Sequence, residues 1–302
     1  MSAPYAVIGG GLMGTGIALT FAAAGRRVAV FEPASATRAS ILDRAAEELQ
    51  AIGAPTSPLE NIHVAETLAD AVEAACFITE AAPEKLELKQ SIFEDLERLA
   101  PEDAVLASNT SVIPISLIAS RVSSAHRVVG THWWNPAHLI PLVEVVPAER
   151  TSAGTVDETV DLLKAIGKAP ARVLKDQPGF VANRLQHALW REAIAMVAEG
   201  VCDAETLDLC VKMSFGRRLA VLGPLENADL VGLDLTLDIH NVVIPQLDRH
   251  AGPHELLERK IAAGDLGFKT GKGFRSWTAD EQRELRSKLR THLVAAAVSA
   301  GS

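Results

Sequence analysis

Cysteine and basic side chains are scarce in this sequence, and each scarcity excludes a class of protein. The three cysteines are an odd number, and neither they nor the nine histidines fall at the spacing of metal ligands, so no metal site is predicted. Unpaired thiols of this kind predict a cytoplasmic protein. The net charge of -9 at pH 7 argues against a nucleic-acid or anionic membrane partner, because both attract a basic face.

The sequence also lacks any charged residue between positions 6 and 25, a stretch as long as a membrane span. No basic side chain precedes this stretch, as one would in a signal peptide, and several glycines interrupt it. We therefore predict that this stretch is not a membrane segment.

A glycine-rich turn explains the uncharged stretch better. Residues 5–8 predict a short strand, residues 9–14 read Gly-Gly-Gly-Leu-Met-Gly, and a helix-forming run follows. Gly9 permits the tight turn, Gly11 lets backbone N–H groups approach a pyrophosphate, and Gly14 lets the helix pack closely against the strand. The predicted dinucleotide site is formed by Gly9, Gly11, Leu12, Met13 and Gly14.

An acidic residue at the end of the second predicted strand, residues 27–31, completes this motif. Glu32 comes eighteen residues after Gly14 and can accept hydrogen bonds from the adenosine ribose hydroxyls. A carboxylate at this position would repel a 2′-phosphate, so the motif favours NAD over NADP. The alternative is that Glu32 is only a solvated strand end.

Strand and helix patterns then alternate, which predicts a mostly parallel sheet with helices on its faces, a Rossmann-type α/β fold. Helices are predicted at residues 34–52, 68–75 and 86–99, and strands at residues 62–64, 76–79 and 104–107. Polar residues follow two of these strands, at the carboxyl edge where ligands bind in such sheets. The candidate cofactor residues there are Glu84, Lys89 and Asn109. The alternatives are a solvated helix start for the first two and a helix N-cap for residues 108–111.

A histidine and a carboxylate lie in the apolar, strand-like segments that follow. His132 precedes a turn predicted at Asn135 and Pro136, because proline biases the residue before it toward extended geometry. Glu144 lies within residues 139–146, which are rich in aliphatic side chains and predict a strand. If the two segments pair, Glu144 can fix the tautomer of His132 and stabilise its protonated form, as a general base requires. The alternative is a purely structural pair.

These motifs together resemble the L-3-hydroxyacyl-CoA dehydrogenase family, and the resemblance spans both halves of the chain. Besides the glycine turn and Glu32, it rests on residues 84–89, 108–111, 132–136 and 144, and on residues 176–184. The resemblance implies that the catalytic histidine and glutamate of the family correspond to His132 and Glu144. It places the assisting serine and asparagines of the family on Ser111, Asn135 and Asn183.

The resemblance also implies how the chain is organised. An NAD-binding Rossmann domain at residues 1–176 is expected to precede an all-helical domain at residues 177–302 that serves substrate binding and dimerisation. Helical spacing of apolar residues at 184–199 and the helix predicted at 204–213 agree with this. A homodimer and a place in fatty acid metabolism are further expectations from the resemblance.

Three departures from the family pattern bear on the substrate. The segment between Glu32 and Ile62 is compact and mixed in charge, where members that use CoA carry a longer, lysine-rich stretch. Trp133 and Trp134 replace a pair of phenylalanines, and they either shape the substrate pocket or belong to the core. Residues 214–224 look more like those of relatives that oxidise free hydroxy acids or small ring compounds, such as gulonate, carnitine and pyridine-carboxylate dehydrogenases.

Two arginines in that third segment are candidate substrate residues. Arg217 or Arg218 would hold a free carboxylate by a pair of parallel hydrogen bonds. The alternative is that the two form a surface cation pair with no ligand.

The predicted function is NAD-dependent oxidation of a secondary alcohol that lies β to a thioester or carboxyl group, with His132 as the base. One alternative is a dehydrogenase of a free hydroxy acid, or of a ring hydroxymethyl or formyl carboxylate. Another, of a different class, is a structural or sensor protein that binds NAD without turnover. In the first two cases the partner is a small-molecule substrate.

Overall fold

A computed structural model describes residues 4–300 of the chain. The described residues divide into two units, one formed by residues 4–183 with 290–300 and the other by Arg184–Leu289. The first unit is α/β and the second is helical, so the predicted fold class is confirmed. The division differs from the predicted boundary at residue 176, because residues 181–183 are hydrogen-bonded to Glu144 and Ser111 of the first unit.

The first unit is built on one eight-stranded sheet. Its strand order is β3-β2-β1-β4-β5-β6-β7-β8, and every pair of neighbours is parallel except β6 and β7. The strands are β1 Tyr5–Ile8, β2 Val28–Phe31, β3 Ile62–Ala65, β4 Phe77–Glu80, β5 Val105–Ser108, β6 Val128–Trp133, β7 Leu142–Pro147 and β8 Ala169–Arg172.

Helices cover both faces of the sheet, which is why its central strands are buried along their whole length. Alternate residues of β1 belong to different hydrophobic clusters: Val7 packs with Ile17 and Phe21, whereas Ile8 packs with Phe93 of the opposite face. The helices of this unit are α1 Leu12–Ala23, α2 Ser35–Ala39, α3 Ile41–Ala51, α4 Leu68–Val72, α5 Leu86–Leu99, α6 Ile115–Ile118 and α7 Ala153–Ala165.

Two predicted elements differ from the structure in their extent. The helix predicted at residues 34–52 is divided into α2 and α3 at Ser40, whose hydroxyl donates to the carbonyl of Thr37. Serine side chains compete for backbone hydrogen bonds in this way and interrupt helices. The strand predicted from residue 139 begins only at Leu142, because the N–H groups of Leu139 and Ile140 both donate to the carbonyl of Pro136 in a turn.

The second unit consists of helices joined by short connections. Its helices, two of which extend beyond it, are α8 Ala182–Ala198, α9 Ala204–Met213, α10 Pro224–Val231, α11 Leu233–Val243, α12 Glu255–Ala262 and α13 Ala279–Ala300. Between α12 and α13 the chain makes isolated bridges at Gly267 to Lys272 and at Lys272 to Ser276. Within Arg184–Leu289 the only buried hydrophobic residue is Ala195, and many leucines, valines and isoleucines are exposed.

A search of residues 4–300 finds no helix with the length and apolar character that crossing a membrane requires. The uncharged stretch near the amino terminus is divided instead between β1, the glycine turn and α1.

Candidate active site

The histidine and the glutamate singled out in the sequence face each other across two strands. β6 and β7 are antiparallel, and their register pairs His132 directly with Glu144. Nδ1 of His132 lies 2.8 Å from Oε2 of Glu144, and the two residues are 4% and 1% exposed. An ionised carboxylate only accepts hydrogen bonds, so Nδ1 carries the proton that joins them. This tautomer leaves Nε2 of the ring with a free lone pair.

The second oxygen of the Glu144 carboxylate is held by backbone. Oε1 accepts hydrogen bonds from the N–H groups of Val181 and Ala182, at 2.9 and 3.1 Å, where α8 begins. Burial alone would raise the pKa of the Glu144 carboxyl, but the bonds from His132, Ala182 and Val181 bring that pKa below its usual value. The carboxylate therefore stays ionised next to the imidazole and favours the protonated ring.

Two aromatic rings pack against the imidazole of His132. The ring of Trp134 lies 5.3 Å from it and the ring of Phe180 lies 5.6 Å from it, measured between centroids. Phe180 is buried and has a positive φ of 49°, a backbone conformation that bulky residues rarely adopt. The two rings restrict the imidazole to the orientation in which it meets Glu144.

Trp133, the other tryptophan, lies in the hydrophobic core. It is 2% exposed, and its ring packs against Phe21 of α1 with centroids 6.3 Å apart. Of the two interpretations that the sequence left open for this residue, the structure supports the core. Its N–H donates to Oδ1 of Asn109 at 2.9 Å, so Asn109 ties the end of β5 to the end of β6.

The predicted serine and asparagines all lie in the first unit, Ser111 and Asn135 on loops and Asn183 in the first turn of α8. Nδ2 of Asn183 donates to the backbone carbonyl of Ser111 at 3.1 Å. Asn135 is exposed, and the peptide bond that joins it to Pro136 is cis. The hydroxyl of Ser111 and the side chain of Asn135 make no hydrogen bond to any residue that the structure describes, so both are available to a ligand.

Glu84 shapes the loop that carries Ser111. Its Oε1 accepts from the hydroxyl of Thr110 at 2.5 Å and from the N–H groups of Ser111 and Val112 at 2.9 and 3.1 Å. Burial alone would raise the pKa of the Glu84 carboxyl, but the bond from Thr110, the charge of Lys89 and these N–H groups hold the pKa below its usual value.

Lys89 is buried rather than presented at the surface. Its ammonium is 1% exposed and lies 2.7 Å from Oε1 of Glu80 and 3.4 Å from Oε2 of Glu84. Glu80, which is fully buried, also accepts from the hydroxyl of Ser108 at 2.6 Å. A role of Lys89 in cofactor binding therefore stays a prediction, and any such role acts through Glu84. Glu80 was not singled out in the sequence, although an acidic residue directly after a predicted apolar strand was a signal for it.

A second carboxylate that the sequence analysis did not single out is Asp176. Its two oxygens accept from the N–H groups of Ile115 and Ser116, at 2.9 and 2.7 Å. The bonds connect the segment that leads into Phe180 with the start of α6. The only signal for this residue was its place in the motif at residues 176–184.

The glycine turn has the shape that a dinucleotide requires. Gly9 has a φ of 106°, and a Cβ there would lie 2.7 Å from the carbonyl oxygen of Ala81. A Cβ on Gly14 would overlap the carbonyl oxygen of Gly9 at 1.7 Å, whereas a Cβ on Gly11 would meet open space. The first N–H groups of α1, at Leu12 and Met13, have no side-chain cap. They are left for the phosphates of a dinucleotide.

Glu32 stands beside this turn at the end of β2. Its carboxylate oxygens accept from the N–H groups of Gly10 and Ala34, at 2.8 and 3.0 Å. Each oxygen retains a lone pair for a ribose hydroxyl. The turn, the uncapped helix and Glu32 together fit NAD, which supplies a hydride acceptor when bound.

Arg217 and Arg218 lie in the second unit, in and directly after the short 3-10 helix Phe215–Arg217. Both are exposed, and neither forms an ion pair with a residue in the described part of the chain. Their role in binding a carboxylate stays a prediction. Among residues 4–300 no group of three histidine, cysteine or acidic side chains is arranged to hold a metal ion.

Comparison with family models matches nearly the whole chain. Residues 5–177 match the model for the NAD binding domain of 3-hydroxyacyl-CoA dehydrogenase, and residues 179–277 match the model for its C-terminal domain. The two matches meet close to where the α/β unit gives way to helices.

Individual proteins and structures agree with the family models. The chain is 36% identical to 5-formyl-3-hydroxy-2-methylpyridine 4-carboxylate 5-dehydrogenase of Mesorhizobium japonicum, over 96% of each chain. It is also 36% identical to 3-hydroxybutyryl-CoA dehydrogenase of Clostridioides difficile, over 89% of this chain and 97% of the other.

A solved structure of the pyridine-carboxylate enzyme, described as an NAD+ dependent dismutase, is 34% identical and has a TM-score of 0.91 over 100% of this chain and 99% of its own. Fold, glycine turn, paired histidine and glutamate, and family models thus agree. The chain belongs to the 3-hydroxyacyl-CoA dehydrogenase family and is an NAD-dependent dehydrogenase that acts on CH–OH groups.

Proposed function

We propose that His132 is the general base of this dehydrogenase and that Glu144 sustains it. In the reaction, the C–H bond of a secondary alcohol breaks and its hydride passes to NAD, while Nε2 of His132 takes the hydroxyl proton. The products are a ketone, NADH and a proton. The observation that carries this proposal is the buried 2.8 Å contact between Nδ1 of His132 and Glu144, which leaves Nε2 as the acceptor.

Three polar residues complete the proposed site. Ser111, Asn135 and Asn183 would orient the alcohol and the neighbouring carbonyl. Their placement in the same unit and the hydrogen bond from Asn183 to the carbonyl of Ser111 support this. The cofactor would be held by the glycine turn, by Glu32 and by the carboxyl edge of the sheet, where Glu84 and Asn109 lie. Orienting the reacting groups lowers the entropic part of the barrier.

The test of the general base is the substitution His132→Gln, which keeps a polar side chain but removes the basic nitrogen. We expect turnover to fall by about a hundredfold to ten-thousandfold, the usual cost of losing a general base. NADH binding, followed by fluorescence, should be unchanged because the glycine turn is untouched. His63→Gln, at an exposed histidine of β3, is the matched control. Near-normal turnover by His132→Gln would refute the assignment.

We further propose that the preferred substrate is a free hydroxy acid rather than a CoA thioester. The two arginines of the compact segment after Glu32 are already engaged within the protein. Arg38 pairs with Glu66 at 3.1 Å, and Arg44 donates to the carbonyls of Gly10, Thr37 and Ser40. Neither guanidinium is free to neutralise nucleotide phosphates. The TM-score of 0.91 with an enzyme that is named for a carboxylic acid substrate also supports a free acid.

The substrate proposal is tested by NADH oxidation with acetoacetyl-CoA beside NAD reduction with free 3-hydroxy acids. A kcat/KM of about 10⁴ M⁻¹s⁻¹ or more, in the ordinary enzyme range, is expected for a free acid, with the thioester far slower. Arg217→Met and Arg218→Met should raise KM for the acid if either residue binds its carboxylate. Efficient use of the thioester would overturn the proposal and would support a role in fatty acid metabolism.

A second candidate substrate is a ring hydroxymethyl or formyl carboxylate, favoured by the similarity to the pyridine-carboxylate enzyme. On the formyl compound the same base would act on the hydrated aldehyde and the product would be an acid, whereas the hydroxymethyl compound would give an aldehyde; neither reaction gives a ketone. Product analysis with formyl pyridine carboxylates distinguishes the two reactions. Tight NADH binding without turnover of any compound in either panel would instead support the structural or sensor protein.

We also propose that the protein is a cytoplasmic homodimer. The cytoplasmic assignment is supported by the free cysteines Cys76, Cys202 and Cys210, and fractionation of cells is its test. The dimer is supported by the many exposed apolar side chains of the helical unit, because apolar surface beyond that of a typical monomer marks an interaction site.

A further inference from the structure

A short loop joins the two strands that carry His132 and Glu144. Residues 134–141 include Asn135 and lie between the end of β6 and the start of β7. The turn inside the loop is closed by two hydrogen bonds, both to the carbonyl of Pro136. Its remaining carbonyls need other donors, because buried backbone acceptors are costly to leave unpaired.

A lysine from a distant part of the chain satisfies two of those carbonyls. Lys168, in the connection between α7 and β8, donates from Nζ to the carbonyl of Ala137 at 2.5 Å and to that of Ile140 at 3.0 Å. The same ammonium lies 5.5 Å from the centroid of the Trp133 ring, within range of a cation–π contact. One cation thus touches both halves of the loop and the residue directly after His132.

The charge of Lys168 has no carboxylate partner. Among the described residues, no carboxylate oxygen lies within 4.0 Å of its Nζ. Burial without a counter-ion lowers the pKa of Lys168 to about 8. Holding a charged lysine in this position costs stability, and the partners that residues 4–300 offer it are the two carbonyls and the ring.

We propose that Lys168 is a positioning residue of the active site, whose ammonium clamps the loop of residues 134–141 and thereby sets the places of Asn135 and His132. The inference rests on the proposed function, in which those two residues orient and deprotonate the alcohol. Lys168 itself does not touch the substrate. Its loss changes the rate of the chemical step and leaves the cofactor turn intact.

The order of the loop and the free energy of unfolding change with pH in opposite directions when Lys168 loses its proton. A neutral amine loses the cation–π contact and the charge-assisted bonds, so the loop loosens as pH rises through about 8. The unfolded chain keeps its proton up to the usual lysine value of about 10.4. The unfolded state therefore binds more protons between these values, and Lys168 makes the free energy of unfolding rise with pH there.

Other charged groups lie near the loop, and their titration must be distinguished from that of Lys168. His138, on the loop itself, faces Lys168, Glu48 of α3 and Arg290 of α13. Nε2 of His138 lies 3.7 Å from Glu48, and burial holds the pKa of His138 below its usual value. His138 is therefore neutral near pH 8, where Lys168 titrates.

The experiment compares Lys168→Met and Lys168→Arg in the full chain, with Lys164→Met at an exposed position of α7 as control. For Lys168→Met we expect kcat to fall about tenfold or more and hydrogen exchange of residues 134–142 to accelerate by a similar factor, because two charge-assisted bonds are lost. The NADH Kd should stay within about twofold, since the glycine turn keeps its contacts. Lys168→Arg stays charged and should abolish the decline of kcat between pH 7 and 9.

Two results would overturn the proposal that Lys168 clamps the loop. Unchanged exchange in Lys168→Met would mean that the loop does not depend on the ammonium. Faster exchange with an unchanged kcat would mean that Lys168 has only a structural role. If the unaltered protein turns over no substrate in the panel, the proposed function fails by itself, and the exchange measurement still decides whether Lys168 holds the loop.

Discussion

At the scale of single residues, Glu144 accepts hydrogen bonds from three donors, and its two carboxylate oxygens bind different parts of the structure. Toward His132 it fixes the tautomer, so that the proton sits on Nδ1 and Nε2 keeps its lone pair. Its other oxygen accepts hydrogen bonds from the N–H groups of Val181 and Ala182 at the start of α8, where the helix dipole favours a negative charge. The same carboxylate therefore holds the proposed base and stabilises the start of a helix.

Replacing this carboxylate by an amide should affect activity and stability together. Glu144→Gln is expected to lower kcat about tenfold to a hundredfold, because the negative charge next to the imidazolium that forms in the reaction is lost. It should also lower the free energy of unfolding at pH 7 by about 1 to 3 kcal/mol, the value of hydrogen bonds to a charged group. Urea unfolding and steady-state kinetics measure the two effects.

The pH dependence of stability distinguishes the charge from the shape of the side chain. Because the folded-state pKa of Glu144 is below its unfolded value, its contribution is complete above the usual glutamate value of about 4.3 and disappears as pH falls through the lower, folded-state pKa. The difference in stability between the unaltered protein and Glu144→Gln should therefore shrink in acid. Glu149→Gln, at an exposed glutamate, is the control. A difference that is the same at pH 4 and at pH 7 would contradict this account.

At the scale of elements, the antiparallel pairing of β6 and β7 places His132 next to Glu144. Side chains of directly opposed residues in such a pair lie on the same face, so the register that joins His132 to Glu144 brings imidazole and carboxylate together. A shift of one residue would send one side chain to the opposite face. The loop of residues 134–141, which Lys168 anchors, joins these two strands and therefore bears on the register that pairs His132 with Glu144.

At the same scale, the other half of the site depends on the start of α1. The helix begins directly after Gly11 without a side-chain cap, and it packs so closely on β1 that Gly14 has no room for a Cβ. Glu32 reaches back from β2 to the N–H of Gly10. Cofactor turn and acidic residue are thus joined before any ligand arrives, which reduces the ordering that binding requires.

At the scale of the whole molecule, the helical unit exposes many large apolar side chains. Its leucines and valines include Leu225, Leu230 and Leu237, which are 79%, 72% and 61% exposed. A second copy of the chain would bury apolar area worth roughly 25 cal/mol for each Å² removed from water. We expect light scattering to give twice the chain mass of 32.1 kDa.

The variant Leu230→Asp with Leu237→Asp should weaken this association and shift the mass toward that of one chain, because a buried charge without a partner is costly. The control is Leu174→Asp, at an 89% exposed leucine of the first unit. Circular dichroism should show that all variants retain their helices. A single-chain mass for the unaltered protein across micromolar concentrations would refute the homodimer.

The sequence by itself determined the parts of this protein that depend on local pattern. The glycine turn, Glu32 and the alternation of strands with helices identify a Rossmann-type unit, because each is specified by backbone conformation or by periodicity within a few residues. The resemblance to the dehydrogenase family singled out His132 and Glu144. The break at Ser40 was not predictable from periodicity, since it depends on one serine hydroxyl that turns to Thr37.

Only the tertiary structure decided which residues meet across long separations in the chain. It buried Trp133 in the core, paired Lys89 with Glu80 and brought Lys168 to the carbonyls of Ala137 and Ile140. None of these contacts has a local signature, because a buried cation selects its partners by desolvation and by distance in space. The proposed catalytic histidine was therefore identifiable in the sequence, whereas the groups that hold it in place became identifiable only when the strands were paired.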